Sequence, residues 1–184
     1  IEQRKNHKPL QYITGHQEFM GLDFLVTPDV LIPRQDTELI VEIVMKKVSH
    51  GKLLDMCTGS GCIGIALAKL GTSLKVTAVD ASEAALAVAQ KNSDRLDAGV
   101  TFILSDLFQN VNEKFNCIVS NPPYITEDEM GILSEEVVKH EPEMALWGGI
   151  DGLYFYREII RQSPKYPESG GMLFFEIGYW QGEK

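Results

Sequence analysis

Apolar positions along this chain follow two different spacings. From residue 37 to about residue 50 they recur every three or four positions, the period of a helix with one buried face. Elsewhere they form short runs, many of them rich in β-branched residues, as in strands that are buried on both faces. These runs predict five strands, at residues 52–56, 74–80, 100–104, 115–120 and 171–177. Helical patterns lie between them, at residues 61–70, 82–96, 127–139 and 151–162.

The alternation of strands and helices predicts an α/β fold, a mainly parallel, doubly wound Rossmann-like sheet with helices on both faces. Two short strands around a glycine turn at residues 18–26 predict a β-hairpin before the sheet. We therefore divide the chain into residues 1–33, the end of an N-terminal region with the hairpin linker, and residues 34–184, the main domain. Ligands of such sheets bind beyond the carboxyl ends of the strands, so the residues after each strand are the candidates for chemistry.

Composition disfavours several classes of function. The sequence has 17 Lys and Arg against 26 Asp and Glu, a net charge of −9, whereas sequence-independent binding to nucleic acid needs clustered cations. No apolar run approaches the roughly 20 residues that span a bilayer, and no signal-like segment opens the sequence. The three cysteines are predicted to be buried free thiols, and the four scattered histidines predict no metal site. Because the sequence begins at Ile1 without a methionine, we expect a piece of a longer protein.

A glycine-rich loop follows the first strand of the predicted sheet. Gly59, Gly61 and Gly64 form a Gly-x-Gly-x-x-Gly pattern, in which glycine lets the backbone turn tightly and approach a nucleotide. A dinucleotide would place its pyrophosphate at the start of the following helix, where the carboxylate of Asp55 would repel it. S-adenosylmethionine (SAM) presents an ammonium and a sulfonium there, so Asp55 favours SAM. A packing turn with no ligand is the alternative.

Two aspartates follow the next two strands. Asp80 closes the second strand and suits the ribose hydroxyls of a nucleoside. Asp106 follows the third strand and suits an adenine amino group, with Leu107 and Phe108 as apolar walls. Each aspartate could instead be a carboxylate favoured by the dipole at a helix N-terminus. Together with the glycine loop they predict one nucleoside pocket.

The segment Asn121-Pro122-Pro123-Tyr124 follows the fourth strand and is the most informative motif in the sequence. Its prolines fix the backbone and hold the preceding residues extended. The Asn121 side chain and the Pro122 carbonyl are then rigid acceptors for the two N–H donors of an amide or an exocyclic amine. Tyr124 can stack on that planar group, and its ring favours a nearby cationic methyl donor. We therefore predict methyl transfer to a planar nitrogen, with Asn121, Pro122 and Tyr124 as catalytic residues that act by orientation.

These motifs resemble those of amino-methyltransferases that act on a planar nitrogen. That group includes adenine-N6 DNA methyltransferases and the HemK-type protein-(glutamine-N5) methyltransferases of peptide chain release factors. The HemK-type family is similar to far more of the chain, from about residue 9 to the C-terminus. Its further blocks resemble residues 9–22, 26–38, 145–153 and 176–182, among them Pro-Leu-Gln-Tyr-Ile-Thr-Gly and Glu-Ile-Gly-x-x-Gln-Gly.

The HemK-type resemblance implies a SAM-dependent enzyme with a class I methyltransferase fold, whose catalytic domain would be residues 34–184. It implies methylation of the side-chain nitrogen N5 of the glutamine in the Gly-Gly-Gln loop of release factors, with S-adenosyl-L-homocysteine as the product. Besides Asp55 and Asp106, it implies cofactor binding by Cys57, Thr58, Gly59, Ser60, Gly61, Asp80, Leu107 and Asn121. Substrate glutamine would be bound by Asn121, Pro122, Pro123 and Tyr124.

The sequence also departs from the HemK-type pattern. Cys57 stands where that family usually has glycine, and Gln35-Asp36 replaces its usual Pro-Glu. We expect most of the family's small helical N-terminal domain and the last two edge strands of its sheet to lie outside this sequence. We therefore expect the fifth strand to form an exposed edge.

Three other functions remain open from the sequence. An adenine-N6 methyltransferase acting on DNA or RNA would use the same nitrogen pocket, but the net charge and the lack of a domain that could grip a duplex disfavour it. An NAD-dependent oxidoreductase would explain residues 59–64 and leave residues 121–124 without a role. A non-catalytic SAM- or nucleotide-binding module would not need an intact Asn121 and Tyr124. We expect a cytoplasmic monomer whose partner is a release factor, without a metal or direct nucleic-acid binding.

Overall fold

A computed structural model describes residues 2–70 and 73–182. Ile1, where the first predicted region begins, and Lys184, where the second ends, lie outside these residues. The strands are β1 (His16–Phe19), β2 (Leu22–Leu25), β3 (His50–Met56), β4 (Ser73–Asp80), β5 (Thr101–Leu104), β6 (Phe115–Ser120) and β7 (Pro167–Phe175). The helices are α1 (Glu2–Lys5), α2 (Leu10–Thr14), α3 (Glu38–Lys47), α4 (Cys62–Lys69), α5 (Glu83–Leu96), α6 (Glu127–Met130), α7 (Glu135–His140) and α8 (Tyr154–Gln162).

The predicted parallel α/β fold is confirmed. Strands β3 to β7 form one parallel sheet in the order β5-β4-β3-β6-β7, and β1 and β2 form the predicted antiparallel hairpin. The chain winds from β3 outward to β5 and then returns to the other side of β3 to form β6. In this register Met56 pairs with Ser120, so the loops that follow β3 and β6 begin side by side. Within the described residues, β7 forms one edge of the sheet.

Core side chains cover both faces of the sheet. On β3, Leu53 packs on the face that carries Val41 of α3, whereas Leu54 packs on the face that carries Ile159 of α8. All four side chains are fully buried. Successive side chains of a strand point to opposite faces, which explains why β3 appears in the sequence as a continuous apolar run rather than an alternating one.

One predicted helix was wrong, and the fifth strand, which was predicted at residues 171–177, is β7 at Pro167–Phe175. Residues 127–139 do not form one helix, because α6 ends at Met130 before Gly131, a poor helix former, and a second helix begins after Ser134. Thr126 and Glu129 form a capping box at the start of α6, which stabilises this short helix as a separate element. The polar residues at the N-terminus also contain two short helices, α1 and α2, that have no clear apolar period.

The hairpin is fixed to the main domain through one buried amide. Asn92 of α5 is fully buried, and its Oδ1 accepts a hydrogen bond from the Leu25 amide (2.7 Å). Its Nδ2 donates to the carbonyls of Leu25 (3.0 Å) and Ser60 (2.9 Å). Asn92 therefore joins β2 to the glycine-rich loop after β3, so the position of that loop depends on the hairpin.

A buried carboxylate holds the same loop from below. Asp55 is fully buried, and its Oδ2 accepts hydrogen bonds from the Thr58 hydroxyl (2.5 Å) and the Gly64 amide (2.9 Å). Its Oδ1 is buried without a hydrogen-bond partner among the described residues. Burial raises the pKa of Asp55 to about 7 against the lowering effect of these two hydrogen bonds, and the charge of Asp80 adds to the rise.

Replacing Asp55 by Asn should change how stability depends on pH. Between about pH 4 and pH 7 the native chain binds a proton at Asp55 more tightly than the unfolded chain does. The free energy of unfolding of the wild type should therefore fall across this window, relative to that of Asp55→Asn, which cannot titrate there. The fall should reach a few kcal/mol, at about 1.4 kcal/mol per pKa unit, and should level off above about pH 8.

Urea unfolding at a series of pH values measures this difference directly. Glu158→Gln is a matched control, since Arg161 holds the pKa of Glu158 below its usual value. That variant should keep the wild-type decline as the pH rises. If the free energies of unfolding of the wild type and Asp55→Asn change in parallel with pH, a raised pKa of Asp55 in the folded chain is contradicted.

Candidate active site

One cavity lies at the carboxyl ends of β3, β4, β5 and β6. Most of the residues predicted to bind ligands line it, namely Cys57, Thr58, Gly59, Ser60, Asp80, Asp106, Leu107, Asn121 and Pro123. Two further segments contribute Val30, Leu31, Pro33, Arg34, Thr37, Pro142, Met144 and Ala145 to its walls, and Phe155 of α8 also lines it. The glycine loop therefore faces the same space as Asn121 and Pro123.

Four of the predicted site residues do not line this cavity. Asp55 lies beneath the glycine loop, as described above, and Gly61 and Pro122 are buried behind the cavity wall. Tyr124 instead lines a second cavity, together with Ile125, Thr126, Glu129, Asp151, Gly178, Tyr179, Trp180 and Gln181. Their roles in binding and catalysis stay predictions.

The glycine loop runs through three left-handed backbone positions. Gly59 (φ 55°) and Gly61 (φ 84°) adopt this conformation freely, but Cys57 (φ 59°) does so with a side chain. A glycine at position 57 would avoid that strain, which gives a physical reason for the glycine expected there. No atom of the described residues lies within 4 Å of where a Gly59 Cβ would be, so a ligand can approach this backbone closely.

Asp80 fastens the glycine loop to the end of β4. Its Oδ2 accepts a hydrogen bond from the Gly59 amide (2.8 Å), and its Oδ1 accepts one from the Ser82 amide (2.9 Å). Ser82 in turn caps α5 by accepting a hydrogen bond from the Ala85 amide (3.1 Å), as its sequence position predicts. Burial raises the pKa of Asp80 against the lowering effect of these backbone donors.

The loop after β5 forms the outer wall of the cavity. Asp106 is exposed at the cavity wall, whereas Leu107 is buried with a left-handed backbone (φ 48°). The Ser105 hydroxyl donates a hydrogen bond to the Leu107 carbonyl (2.7 Å), and this bond holds the strained turn. The wall therefore combines an apolar surface with one carboxylate, which suits an aromatic base that carries an amino group.

Asn121 stands where β6 ends, next to the end of β3. The Ser120 hydroxyl donates a hydrogen bond to the Met56 carbonyl (2.8 Å) and so ties the two strand ends together. The Asn121 side chain donates from Nδ2 to the Thr37 hydroxyl (3.3 Å). Pro122 and Pro123 are buried beside it. The Asn121 amide is therefore anchored through its nitrogen, and its oxygen accepts no hydrogen bond from the described residues.

Glycines on a distant segment allow the Asn-Pro-Pro-Tyr segment to pack closely. A Cβ on Gly148 would lie 2.6 Å from Tyr124 Cα and 2.7 Å from the Pro123 oxygen. A Cβ on Gly152 would lie 2.3 Å from the Tyr124 oxygen. The Gln181 side chain adds to this contact, because its Nε2 donates to the carbonyls of Tyr124 (3.3 Å) and Gly152 (3.0 Å).

Reasoning from residue chemistry missed Thr37, Gly148, Gly152, Glu176 and Gln181. The sequence carries a signal for some of them, since Gly148-Gly149-x-Asp151-Gly152 and Glu176-Ile177-Gly178-x-x-Gln181 belong to blocks that resemble the HemK-type family. Their part in the site could not be derived, because it depends on contacts between segments far apart in the chain. Thr37 belongs to the similar block at residues 26–38, but that pattern does not reveal its contact with Asn121.

The segment at residues 29–34 is fixed over the cavity by an ion pair. The Glu141 carboxylate is almost completely buried, accepts a hydrogen bond from the Ile32 amide (3.3 Å) and pairs with Arg34. Arg34 itself lines the cavity. The segment at residues 29–34, which follows the hairpin, therefore forms one wall of the site. Glu141, which follows α7, holds that wall in place.

The cysteines agree in part with their prediction. All three are free, and Cys62 and Cys117 are buried, but Cys57 is only half-buried on the cavity wall. Burial raises the pKa of the Cys62 and Cys117 thiols to about 12.

Within residues 2–70 and 73–182, no group of three or more His, Cys, Asp or Glu side chains is arranged to hold a metal ion. No helix in this part of the chain is long and apolar enough to cross a membrane.

The chain is similar to known methyltransferases in sequence. The methyltransferase small domain family matches residues 34–149. A release factor glutamine methyltransferase from Geobacter sulfurreducens is 48% identical over all of this chain, which spans 65% of that relative's length. A release factor glutamine methyltransferase from Thermodesulfovibrio yellowstonii is 41% identical, over all of this chain and 68% of its own.

Solved structures give the same fold at lower identity. A methyltransferase from Pyrococcus furiosus is 20% identical and superposes with a TM-score of 0.63 over 89% of this chain and 72% of its own. At that identity the likeness shows the fold, whereas the sequence relatives show the family. These sequence similarities establish that the chain belongs to the release factor glutamine methyltransferase family.

Proposed function

We propose that this protein transfers a methyl group from SAM to the side-chain nitrogen N5 of the glutamine in the Gly-Gly-Gln loop of peptide chain release factors. One observation carries the proposal: the glycine loop and Asn121 line the same cavity. A donor held by the loop and an acceptor held by Asn121 would then meet without any movement of the sheet. The names of the relatives indicate the substrate, and the position of Asn121 in the cavity supports a nitrogen as the methyl acceptor.

The cavity fits SAM in charge and shape. When bound, SAM supplies a methyl group on a sulfonium, and it also carries an ammonium. Asp80 would hold the ribose, Leu107 and Asp106 would contact the adenine, and the open backbone at Gly59 would accommodate the methionine part. Asp55 adds a buried carboxylate oxygen without a partner beneath the loop, and a nearby cation would stabilise its charge.

The chain's own residues would hold and orient the glutamine. Asn121 Oδ1 and the Pro122 carbonyl would accept the two N–H groups of the amide, and the buried prolines keep these acceptors rigid. Tyr124, which is half-buried at the adjoining second cavity, would pack against the amide plane. Such orientation supplies much of the rate, and the proton can leave the nitrogen after the methyl group has been transferred. A strong general base is therefore not needed.

The alternatives explain less of the site. A diphosphate at the glycine loop would meet the carboxylate of Asp80, which disfavours an NAD-dependent oxidoreductase. An exocyclic amine of adenine could use the same acceptors, but the relatives favour glutamine. We further propose a cytoplasmic monomer that contacts release factors and does not bind nucleic acid directly.

Intact-mass analysis of a release factor tests the proposal. The release factor is incubated with SAM and the full natural protein, and duplex DNA serves as a parallel acceptor. We expect one methyl increment on the Gly-Gly-Gln peptide and none on DNA. Asn121→Ala should slow this transfer by roughly 100-fold, because the amide is no longer oriented. Methylated adenine with an unmodified release factor would favour the alternative enzyme instead.

Replacing Gly148 by Ala should impair turnover although Gly148 does not line the cavity. The new methyl group would meet the backbone of Pro123 and Tyr124 and displace the acceptors, so we expect turnover to fall by roughly 100-fold. Gly131→Ala is the matched control, because a Cβ there lies 3.4 Å from its nearest neighbour and the backbone is right-handed (φ −72°). Equal turnover for the two variants would contradict the role of this contact.

A further inference from the structure

Glu176 lies beside Asn121 across the pairing of β6 with β7. Ser120 and Phe175 are partners in the parallel register, and the Glu176 amide donates a hydrogen bond to the Ser120 carbonyl (3.0 Å). The residues that follow each partner, Asn121 and Glu176, are therefore neighbours at the same edge of the sheet. The Tyr156 hydroxyl also donates to the Glu176 carbonyl (2.9 Å), which fixes the backbone at this position.

The Glu176 carboxylate is poorly satisfied where it stands. Its Oε2 is buried without a hydrogen-bond partner in the part of the chain that the structure describes. Burial raises the pKa of Glu176, hydrogen bonding from Thr37 and Asn121 lowers it, and the charge of Asp36 raises it. A buried acceptor of this kind favours any N–H or O–H group that turns towards it.

A side-chain amide can stand in two orientations that exchange its oxygen and its nitrogen. In one orientation, Asn121 Nδ2 faces the Thr37 hydroxyl (3.3 Å) and the Glu176 carboxylate, and both can accept its hydrogens. In the other orientation, Oδ1 would face the carboxylate, and the two acceptors would repel each other. Glu176 therefore favours the first orientation, in which Oδ1 is left for the substrate.

We propose that Glu176 is a positioning residue that fixes the orientation of the Asn121 amide, so that Asn121 Oδ1 faces the nitrogen to be methylated. This inference rests on the proposed function, because it concerns the same acceptor. Without this constraint a fraction of the Asn121 side chains would present N–H groups to the substrate. A hydrogen bond to the substrate amide would be lost in that fraction, and the nitrogen would be poorly aligned.

The first test replaces the carboxylate by an amide of the same shape. Glu176→Gln can donate as well as accept, so it no longer selects one orientation of Asn121. In the full natural protein, kcat for methylation of a release factor should fall roughly 10- to 100-fold, the range expected for a hydrogen bond to a charged group. The KM for the release factor and the Kd for SAM should change less than about threefold, since contacts outside the glutamine dominate both.

Glu113→Gln is the matched control for this substitution. Glu113 is exposed and pairs with Lys52, at the opposite end of the sheet from the site. This variant should keep the wild-type kcat.

A second test exchanges the two side-chain types between positions 121 and 176. Asn121→Asp alone places two carboxylates against each other and should lower kcat by at least about 100-fold. Combining it with Glu176→Gln restores one amide and one carboxylate in contact. The amide at position 176 can then donate to one oxygen at position 121 and leave the other for the substrate. The double variant should recover at least about tenfold in kcat over Asn121→Asp, as expected for coupled neighbours.

The outcomes separate this inference from the proposed function. Methylation by the wild type with an unchanged kcat in Glu176→Gln, or a double variant no faster than Asn121→Asp, overturns the role of Glu176 only. A wild type that does not methylate the release factor overturns the proposed function and this inference with it. A Glu176 with a merely structural role would make the double variant slower than either single variant.

Discussion

The parallel pairing of β3 with β6 is the constraint on which the site depends. From β3 the chain continues through β4 and β5 towards one edge of the sheet, and from β6 it continues to β7 at the other edge. The carboxyl ends of β3 and β6 stand side by side at Met56 and Ser120. The loop after one strand carries the glycines, and the loop after the other carries Asn121. The Ser120 hydroxyl bonds to the Met56 carbonyl and fixes this junction, while apolar side chains bury both faces of the sheet behind it.

Buried carboxylates give the site its electrostatic character. Asp80 lines the cavity, Asp55 lies beneath its glycine loop and Glu176 lies beside Asn121, and burial raises the pKa of each of them. Such groups destabilise the folded chain when ionised unless hydrogen-bond donors or positive charge lie close to them. Backbone amides meet this need in part for Asp55 and Asp80. The proposed cofactor is a cation, so its binding would reduce the remaining cost.

The sequence predicts the strands of the sheet and the loops of the site well, because both depend on local pattern. Apolar runs specify β3 to β7, and glycine or proline specifies the loops that follow. It does not predict the contacts that hold Tyr124, since Gly148 and Gln181 approach it from segments more than 20 residues away. The structure adds that the Asp55 carboxylate turns beneath the loop to accept hydrogen bonds from Thr58 and Gly64, while its predicted contact with the cofactor stays a prediction. Local spacing indicates that a carboxylate is near, but not which way it points.

A structure of the full natural protein with S-adenosyl-L-homocysteine and a Gly-Gly-Gln peptide would test the shared cavity most directly. We expect the homocysteine part beside the glycine loop and the glutamine nitrogen about 3 Å from Asn121 Oδ1. The same structure would show whether Asn121 Nδ2 still faces Thr37. A glutamine bound instead in the second cavity beside Tyr179 and Trp180, away from Asn121, would contradict methyl transfer at this site.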